Sequence, residues 1–328
     1  MSEQKIGLTL GKFAPLHKGH QHLIETALNE MDHLIVIVYG CPEITSVPLE
    51  TRVGWIANIY PSVEVIEAED GPKEVGDTPE IKAKQERYIL GKLNGRKVTH
   101  FYSNEFYGEH MSQALGAVNR QVDRHRLEYP VSGTLIRENY YEYRDYLHPV
   151  VYRDLITKVV FLGAPATGKT TIAEYLANEY NTVWMPEYGR EYWEKHQINR
   201  RLSPLQLVEI AEGHFEREEK LLLEARNYLF TDTNAITTYM FSQYYHGYAH
   251  SRLVELAQIA ESRYDHFFLC DSNIPYADTW DRSGVTQRET FQKNIIADLA
   301  NRKIPFTVIG GKLNKRADQV KRLLQIKI

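Results

Sequence analysis

The sequence is poor in cysteine and has no long apolar run. Its 328 residues include two cysteines, Cys41 and Cys270, which lie far apart and outside any Cys-x-x-Cys or Cys/His ligand spacing. This pattern argues against a disulfide framework and a zinc site, and favours buried reduced thiols. No stretch of about 18 apolar residues is present that could cross a bilayer, so no membrane partner is expected.

A cationic excess and a targeting segment are also missing. The formal net charge is −4, which differs from the strongly basic balance of a dedicated nucleic-acid binder. Residues Met1–Lys5 lead directly into the apolar alternation Ile6–Leu10, without the basic and apolar regions of a signal peptide. We therefore expect a soluble, cytoplasmic protein that binds no nucleic acid, although small anionic ligands remain compatible with its charge.

The length and the order of apolar segments predict two α/β domains with parallel sheets. A chain of 328 residues exceeds the roughly 100–200 residues of one domain, and short apolar runs alternate with segments of helical period. The mixed-polarity segment Asp145–Asp154 is the predicted junction, which gives domains at residues 1–150 and 156–328. The predicted strands are Ile6–Leu10, His33–Tyr39, Val63–Glu67, Val98–Tyr102, Lys158–Leu162, Thr182–Met185, Tyr228–Asp232, His266–Asp271 and Phe306–Ile309. The predicted helices are His20–Met31, Glu50–Ile59, Lys82–Leu93, Leu135–Tyr143, Lys169–Tyr180 and Leu205–Arg226.

The first candidate site is the segment Gly11–His20, Gly-Lys-Phe-Ala-Pro-Leu-His-Lys-Gly-His, between the first strand and the next helix. At this place α/β sheets present main-chain amides to phosphate groups. Lys12, His17 and His20 can donate charge-assisted hydrogen bonds to triphosphate oxygens and stabilise a developing pentacovalent phosphorus. The alternative is a simple helix-entry feature, which the length of the pattern disfavours.

A second segment, Val131-Ser-Gly-Thr-Leu-Ile-Arg137, is predicted to complete this site. Ser132 and Thr134 are expected to cap a helix whose free amides face an anion, and Arg137 follows one turn later. The two segments then form a triphosphate clamp, which needs no nucleophile if it holds the attacking phosphate in line with the α-phosphorus. The predicted ATP-binding residues of the first site are Gly11, Lys12, Phe13, His17, His20, Ser132, Thr134 and Arg137.

The second candidate site is the segment Gly163–Thr171, which matches Gly-x-x-x-x-Gly-Lys-Ser/Thr between a buried strand and a helix. Its amides are expected to wrap the β-phosphate, while Lys169 bridges the β- and γ-phosphates and Thr170 ligates Mg²⁺. The predicted ATP-binding residues of this P-loop are Gly163, Ala164, Pro165, Ala166, Thr167, Gly168, Lys169, Thr170 and Thr171.

A magnesium ion in such a site also needs a carboxylate at the end of a neighbouring strand. Asp232 and Asp271 each end a predicted strand. Asp232 is the preferred ligand because Thr231 and Thr233 flank it with polar groups, and Asp271 is then structural.

Two further segments are interpreted as the acceptor side and a lid of this second site. Pro186–Tyr192 combines groups suited to ribose hydroxyls and to stacking on a heteroaromatic ring, with a solvated helix start as the alternative. Trp280–Arg288 places two arginines around a glycine, as in a lid that closes on the transferring phosphate, with an exposed turn as the alternative. The predicted substrate residues are Glu187, Tyr188, Arg190 and Glu191, and the predicted lid residues are Arg282 and Arg288.

The two motifs of the first domain resemble those of the nucleotidyltransferase superfamily, and most closely the nicotinamide mononucleotide (NMN) adenylyltransferase domain of NadR-type proteins. This resemblance implies a Rossmann-like fold and the transfer of AMP from ATP to NMN with Mg²⁺, giving NAD and pyrophosphate. The segment Thr51–Trp55 also resembles the Arg-x-x-Trp region of that family near the mononucleotide. It thus implies that Arg52 and Trp55 contact substrate, although a core role for Trp55 is an equal alternative.

The second domain resembles the ribosylnicotinamide kinase domain of the same family in its P-loop and in the segment Glu187–Glu191. Two departures occur: the P-loop interior Ala-Pro-Ala-Thr has less Ser and Glu than the family pattern, and Asp281–Ser283 replaces paired acids, which puts the detailed role of the lid in question. Some NadR proteins carry an N-terminal helix-turn-helix, which does not fit here because the first strand begins within a few residues of Met1. Regulation of DNA is therefore not expected.

The resemblance implies a bifunctional enzyme that phosphorylates nicotinamide riboside and adenylylates the product. Its expected ligands are ATP, NMN, nicotinamide riboside and NAD, and the sequence leaves open whether the chain is a homo-oligomer. The alternatives are an adenylyltransferase–kinase fusion of coenzyme A synthesis and a nucleotide sensor that has lost turnover. The Glu-Tyr-Gly-Arg-Glu segment disfavours the first through the resemblance, and the intact His17, His20, Lys169 and Thr170 disfavour the second.

Overall fold

The alternation of apolar strands and helical segments produces two α/β units, Met1–Leu155 and Ile156–Ile328. A computed structural model describes residues 4–74, 76–104, 107–198, 202–273 and 285–324. Within these ranges no helix is long and apolar enough to cross a membrane.

The sheet of the first unit is built around its first strand. Its strands are β1 (Ile6–Gly11), β2 (His33–Tyr39), β3 (Glu64–Ala68), β4 (His100–Ser103) and β5 (Val118–Gln121). They are all parallel and lie in the order β3-β2-β1-β4-β5. Leu8 of β1 lies opposite Ile35 on one side and Phe101 on the other. β2 reads as a continuous apolar run, as is usual for a parallel strand that is covered on both faces.

The helices of the first unit carry recognisable start and stop signals. They are α1 (Lys18–Glu30), α2 (Leu49–Ile59), α3 (Pro79–Leu93), α4 (Gly108–Leu115), α5 (Gly133–Glu138) and α6 (Pro149–Leu155), with a 3-10 turn at Arg144–Tyr146. For example, the Thr78 side chain accepts a hydrogen bond from Ile81 N at 3.4 Å at the start of α3. The same helix ends at Asn94, which has a left-handed φ of 49°. These are the capping residues that helix termini favour, because they satisfy otherwise free main-chain groups.

The second unit repeats the arrangement with its own first strand at the centre. Its strands are β6 (Thr157–Leu162), β7 (Trp184–Met185), β8 (Tyr228–Asp232), β9 (His266–Cys270) and β10 (Thr307–Ile309). The parallel order is β10-β9-β6-β8-β7. Phe161, Phe230 and Phe268, from the three central strands, belong to one buried apolar cluster. Because β8 and β9 both flank β6, each brings its carboxyl end close to the P-loop.

The helices of the second unit cover the faces of this sheet. They are α7 (Lys169–Glu179), α8 (Tyr188–His196), α9 (Pro204–Leu222), α10 (Ala235–His246), α11 (Ser251–Glu261), α12 (Val285–Asn301) and α13 (Leu313–Leu324). A capping box begins α9, in which Ser203 Oγ accepts from Gln206 N and Gln206 Oε1 accepts from Ser203 N. This is the reciprocal arrangement that satisfies two free amides at a helix start.

The predicted strands all correspond to strands of the structure, with small shifts at their ends. One helix is shorter than the sequence predicts: Leu135–Tyr143 is replaced by α5, which ends at Glu138. Asn139 ends it because its side-chain oxygen accepts from Glu142 N at 3.2 Å and so offers the main chain a non-helical alternative. The helix α4 and the strand β5 are not predicted from the sequence. β5 is a partly exposed edge strand with polar residues, so it lacks the apolar run used to find strands.

Candidate functional site

The first candidate site begins where β1 ends, at Gly11. Phe13, two residues later, has a left-handed φ of 46°. Its ring packs edge-on against the ring of His20, with the ring centroids 5.0 Å apart. A side chain at Gly19 would bring its Cβ within 3.1 Å of the His17 ring. The position therefore favours glycine, which lets the start of α1 approach His17 closely.

His17 and His20 form a stacked pair at the start of α1, with ring centroids 3.8 Å apart. Burial, together with the smaller effect of the nearby positive charge of Arg126, lowers the pKa of His17 to about 4. Burial also holds the pKa of His20 well below its ordinary value, with added effects of His17 and Arg126. Both rings are thus neutral near pH 7 in this structure. They can still donate N–H groups to phosphate, but the positive charge expected from the sequence is missing.

The second segment of the predicted clamp lies against the first, although the two are far apart in sequence. Arg137 Nη1 donates to the main-chain oxygen of Ala14 at 2.5 Å, and Arg137 Nη2 donates to Thr134 Oγ1 at 3.1 Å. Ser132 Oγ accepts from Leu135 N at 3.3 Å and so caps α5. The structure therefore brings the two motifs together, with Arg137 joining them.

Arg52 and Trp55 are buried in the first unit. Arg52 donates to the main-chain oxygens of Lys12, Tyr39 and Val47, and is 2% exposed. Trp55 Nε1 donates to Asp154 Oδ2 at 2.7 Å. Here Arg52 holds the first loop in place through Lys12, and Trp55 packs in the core, so direct contact of either with a substrate stays a prediction.

Lys12 itself carries an amine that remains half-exposed. Its Nζ lies 3.6 Å from Glu43 Oε1, in an exposed ion pair of the kind that contributes little stability. The amine can therefore leave this partner for a phosphate at small cost.

Arg126 is a functional candidate that the sequence motifs do not reveal. It lies in the loop after β5, which packs on the start of α1: Tyr129 Cβ lies 3.8 Å from the position a Gly19 Cβ would take, and Glu128 pairs with His22 at 3.5 Å. Its charge acts on both stacked histidines. No local pattern marks it, because its position follows from how the loop folds back.

The second candidate site is the P-loop that joins β6 to α7. Gly163 has φ 145°, and a Cβ there would lie 2.9 Å from the main-chain oxygen of Cys270. Gly168, at the start of α7, has φ 78°. Lys169 is buried, and its Nζ donates to the main-chain oxygens of Gly163 at 3.0 Å and Ala164 at 3.1 Å. The loop therefore folds around the lysine amine that a phosphate would bind.

Asp232 lies beside this loop at the end of β8. Thr170 Oγ1 donates to Asp232 Oδ2, while Asp232 Oδ1 is buried without a hydrogen-bond partner among the described residues. Burial, and to a smaller extent the negative charge of Glu187, raise the pKa of Asp232 to about 6. Asp271 follows β9, and its main-chain oxygen accepts from Arg316 Nη2 at 3.2 Å. The contact with Thr170 supports Asp232 over Asp271 as the predicted metal ligand.

The predicted acceptor residues lie at the start of α8, and most of them already have partners. Arg190 lies 3.4 Å from Glu187, and Arg217 pairs with Glu191 at 2.6 Å. The guanidinium of Arg217 also covers the Tyr188 ring at 3.9 Å. Glu187 and Arg190 are the members of this group whose charges act on Asp232, which places both on the side of the P-loop.

The predicted lid is described only in part. Arg282 lies outside the described residues. Arg288, on α12, is buried, and its Nη2 donates to the main-chain oxygen of the P-loop residue Ala166 at 3.0 Å. It therefore contacts the phosphate loop, and its role in a lid stays a prediction.

Two residues that the sequence did not single out also hold the P-loop. Arg316 Nη1 donates to Thr167 O at 2.6 Å, and Gln292 Oε1 accepts from Ala164 N at 2.8 Å. Both come from helices late in the chain. No motif marks them, because their contacts are with the main chain of the loop, which any residue type offers.

Comparison with known families divides the chain in the same way as its geometry. Residues 8–139 match the family model described as cytidylyltransferase-like, and residues 158–316 match that of the AAA domain. The first match contains the stacked histidines and Arg137, and the second contains the P-loop and Asp232.

Relatives that contain both domains are also found. The trifunctional NAD biosynthesis/regulator protein NadR of Salmonella typhimurium is 27% identical over 98% of this chain and 82% of that protein. A crystal structure of a NadR protein in complex with NAD and AMP-PNP aligns with a TM-score of 0.57 at 22% identity, over 99% of this chain and 98% of that one. A second, in complex with NR, aligns with a TM-score of 0.57 at 23% identity, over 99% and 96%. The two structures establish the shared fold of both units.

Proposed function

Since the chain is a NadR-type protein, we propose that it is a bifunctional enzyme of NAD biosynthesis. The second unit phosphorylates nicotinamide riboside with ATP to give NMN, and the first unit transfers AMP from ATP to NMN to give NAD and pyrophosphate. The observation that carries this proposal is the pair of phosphate-binding loops, each at the carboxyl end of the central strand of its own sheet.

The first unit has the geometry for AMP transfer without a covalent intermediate. Its stacked histidines, Lys12 and Arg137 surround a loop that offers donors to a triphosphate and no nucleophile. Such a site works by holding the phosphate oxygen of NMN in line with the α-phosphorus of ATP and by donating hydrogen bonds to the charge that develops there. The neutral state of His17 and His20 fits this task, because a neutral imidazole still donates one hydrogen bond.

The second unit has the groups needed for transfer of a γ-phosphate. Lys169 lies inside the P-loop, where its amine exchanges two main-chain oxygens for phosphate oxygens. Glu187, at the start of α8, is the carboxylate best placed to accept the proton of the attacking hydroxyl. Arg288 and Arg190 are the cations available for the charge of the transferring group.

The residues near Thr170 also fit a magnesium ion. Thr170 Oγ1 and Asp232 supply only oxygen ligands, which Mg²⁺ prefers, and one oxygen of the buried Asp232 carboxylate is without a partner among the described residues. A buried carboxylate with a raised pKa is expected where a cation normally compensates its charge. When bound, the ion would neutralise charge on the β- and γ-phosphates. Asp232 and Thr170 would hold it.

A direct assay tests the proposal and its rivals. The purified chain is incubated with ATP, Mg²⁺ and either nicotinamide riboside or NMN, and the products are separated by liquid chromatography. We expect NMN and NAD from the riboside, and NAD from NMN. Activity on pantetheine phosphate would instead establish the coenzyme A alternative. Nucleotide binding without any product would establish the sensor.

We also predict that the protein is cytoplasmic and that it binds no nucleic acid. Size-exclusion chromatography with light scattering measures whether it forms a homo-oligomer.

A further inference from the structure

Asn234 begins helix α10 directly after the segment that contains Asp232. Its side-chain Oδ1 accepts from Ile236 N at 3.1 Å and from Thr237 N at 3.4 Å, so it caps the helix. The residue is 2% exposed. Because both capping bonds use Oδ1, the amide nitrogen at the other end of the side chain is left for another partner.

That nitrogen, Asn234 Nδ2, is buried and has no hydrogen-bond partner within the described part of the chain. A buried donor without a partner costs about 1–3 kcal/mol, so it needs an explanation. Capping does not explain it, since serine, aspartate and asparagine cap helices about equally well. Among these residues, only asparagine adds a donor on an atom separate from the capping oxygen.

The unused donor lies close in sequence to an unused acceptor. Asp232 Oδ1, two residues earlier, is also buried without a partner among the described residues, while Oδ2 of the same carboxylate faces Thr170 of the P-loop. Thr233 between them has φ 66°, a conformation that β-branched residues rarely adopt. Such backbone strain tends to be kept where side chains must be held in a set arrangement for a ligand.

The charges around this segment indicate which group of an acceptor molecule Asn234 Nδ2 would bind. Glu187, whose charge acts on Asp232, can accept a hydrogen bond from a hydroxyl of a riboside. It cannot donate to the lone pairs of the same hydroxyl oxygen. Asn234 Nδ2, two residues after Asp232 in the chain, is a neutral donor, and its neutrality avoids a third negative charge in this segment.

We propose that Asn234 positions the acceptor nucleoside, with Nδ2 donating a hydrogen bond to a ribose hydroxyl oxygen. This inference rests on the proposed kinase function of the second unit. Asn234 thereby has two roles: its Oδ1 caps the start of α10, and its Nδ2 binds the nucleoside. The fixed cap holds the amide in one orientation, which makes the residue selective for acceptors with an oxygen at that place.

Two substitutions separate the donor from the cap. Asn234→Ser keeps a neutral capping oxygen and removes the long amide donor, whereas Asn234→Asp keeps the cap and the shape but replaces the donor with a charge. We expect Asn234→Ser to raise the KM for nicotinamide riboside about tenfold, with the KM for ATP unchanged. The Asp variant should be weaker still, because its carboxylate repels Asp232 and Glu187.

Substrate analogues identify the oxygen concerned. The 2′-deoxy and 3′-deoxy analogues of nicotinamide riboside each lack one hydroxyl. With one of them, kcat/KM of the wild-type enzyme should fall by about the same factor as the Asn234→Ser substitution lowers kcat/KM for the complete riboside. The serine variant should then show no further loss with that analogue. Calorimetric titration of the riboside provides the same comparison without turnover.

A matched control removes a helix cap elsewhere in the same unit. Ser203→Ala, at the start of α9, loses the capping bond from Gln206 N and should leave the KM for the riboside unchanged. NAD formation from NMN by the same preparations checks that the first unit is intact. A serine variant with wild-type KM and wild-type discrimination would overturn the inference alone. A wild-type chain that makes no NMN from the riboside would overturn the proposed kinase function, and the inference with it.

Discussion

The two phosphate loops lie at equivalent places in their sheets but are built in opposite ways. The first takes its donors from side chains of two segments, which meet through the bond from Arg137 to Ala14 O. The second is one continuous turn, in which Gly163, Ala166 and Gly168 have positive φ values of 145°, 59° and 78°. A loop of side chains suits a reaction at the α-phosphorus, where the triphosphate must be held along its length. A loop of main-chain amides suits the tight grip on β- and γ-phosphates that kinases need.

The two sites also differ in the charge of their side chains. Burial makes His17 and His20 neutral, so the two histidines of the first site offer uncharged donors. The second site concentrates charge, with a buried lysine, the Asp232 carboxylate and a surrounding set of arginines. We therefore expect the two activities to be lost independently of each other and in response to different substitutions.

The largest expected effect comes from Lys169→Ala. Removing the buried amine deletes the strongest positive charge inside the P-loop, so kinase activity should fall roughly 1,000-fold or more, while NAD formation from NMN stays near wild type. Both activities are measured on the same preparation by chromatography. Lys220→Ala, which removes an exposed lysine paired with Glu216 at 2.7 Å, is the matched control and should keep both. Loss of both activities in a folded Lys169 variant would contradict separate sites.

The reverse separation is expected for His20→Ala. The stacked pair loses one donor at the developing charge, which should lower adenylyltransferase kcat/KM by roughly 100-fold or more and leave the kinase unchanged. His33→Ala serves as control, because His33 lies at the amino end of β2 and contacts Glu64 at 3.0 Å. An equal loss in the control variant would mean that the effect is one of folding and not of the site.

A smaller, purely structural effect is expected from Glu218→Gln. Burial alone would raise the pKa of Glu218, but His214 and Arg263 lower it to about 2. Glu218 also accepts hydrogen bonds from Thr231 Oγ1 and Tyr264 OH, each at 2.9 Å. Breaking this buried group should destabilise the second unit by roughly 3 kcal/mol, seen as a lower Tm in calorimetry.

The pH dependence of that effect has a defined sign. The folded pKa of Glu218 lies below its ordinary value, so its stabilisation is full above pH of about 4.5 and is lost as pH falls toward about 2. The difference in Tm between wild type and Glu218→Gln should therefore shrink on acidification. Glu219→Gln, which affects a partly exposed pair with Arg263 at 2.7 Å, should show a much smaller difference at every pH.

The smallest expected effect sharpens the electrostatic side of the comparison. Because the pKa of His17 is lowered to about 4, its ring signals in an NMR titration should not move between pH 7 and pH 5.5, where an ordinary histidine would titrate. Arg126→Ala should shift the His17 pKa slightly upward, since one cause of the lowering is removed. A His17 titration near pH 6.5 in the wild type would contradict a neutral pair.

The sequence predicts the second site in more detail than the first, because the P-loop motif specifies more of the local structure. The P-loop pattern specifies the strand, the turn and the helix together, and its neighbour Asp232 could be proposed from its place at the end of a strand. Asp271 could not be separated from it, since β8 and β9 both flank β6 and the order of strands is a property of the whole sheet.

Other residues depend on contacts between distant segments, which periodicity does not reveal. Arg126, Gln292 and Arg316 reach their sites through loops and helices far along the chain from the motifs they touch. Arg52 is a similar case. The motif implied a place near the mononucleotide, but the structure buries Arg52, which donates to three main-chain oxygens. Burial of this kind follows from packing, and no residue pattern states it.

The central position of β1 and β6 also bears on how the protein is made. Each strand is the first of its unit to leave the ribosome, yet one of its neighbours arrives late: the pairing of Ile6 N with Thr99 spans 93 residues, and that of Lys158 N with Asp265 spans 107. Contacts this distant slow folding, because a long loop must close before they form. The bonds from Arg137 to Ala14 O and from Arg316 to Thr167 O can form only later still. We therefore expect each phosphate loop to be completed only near the end of synthesis of its unit.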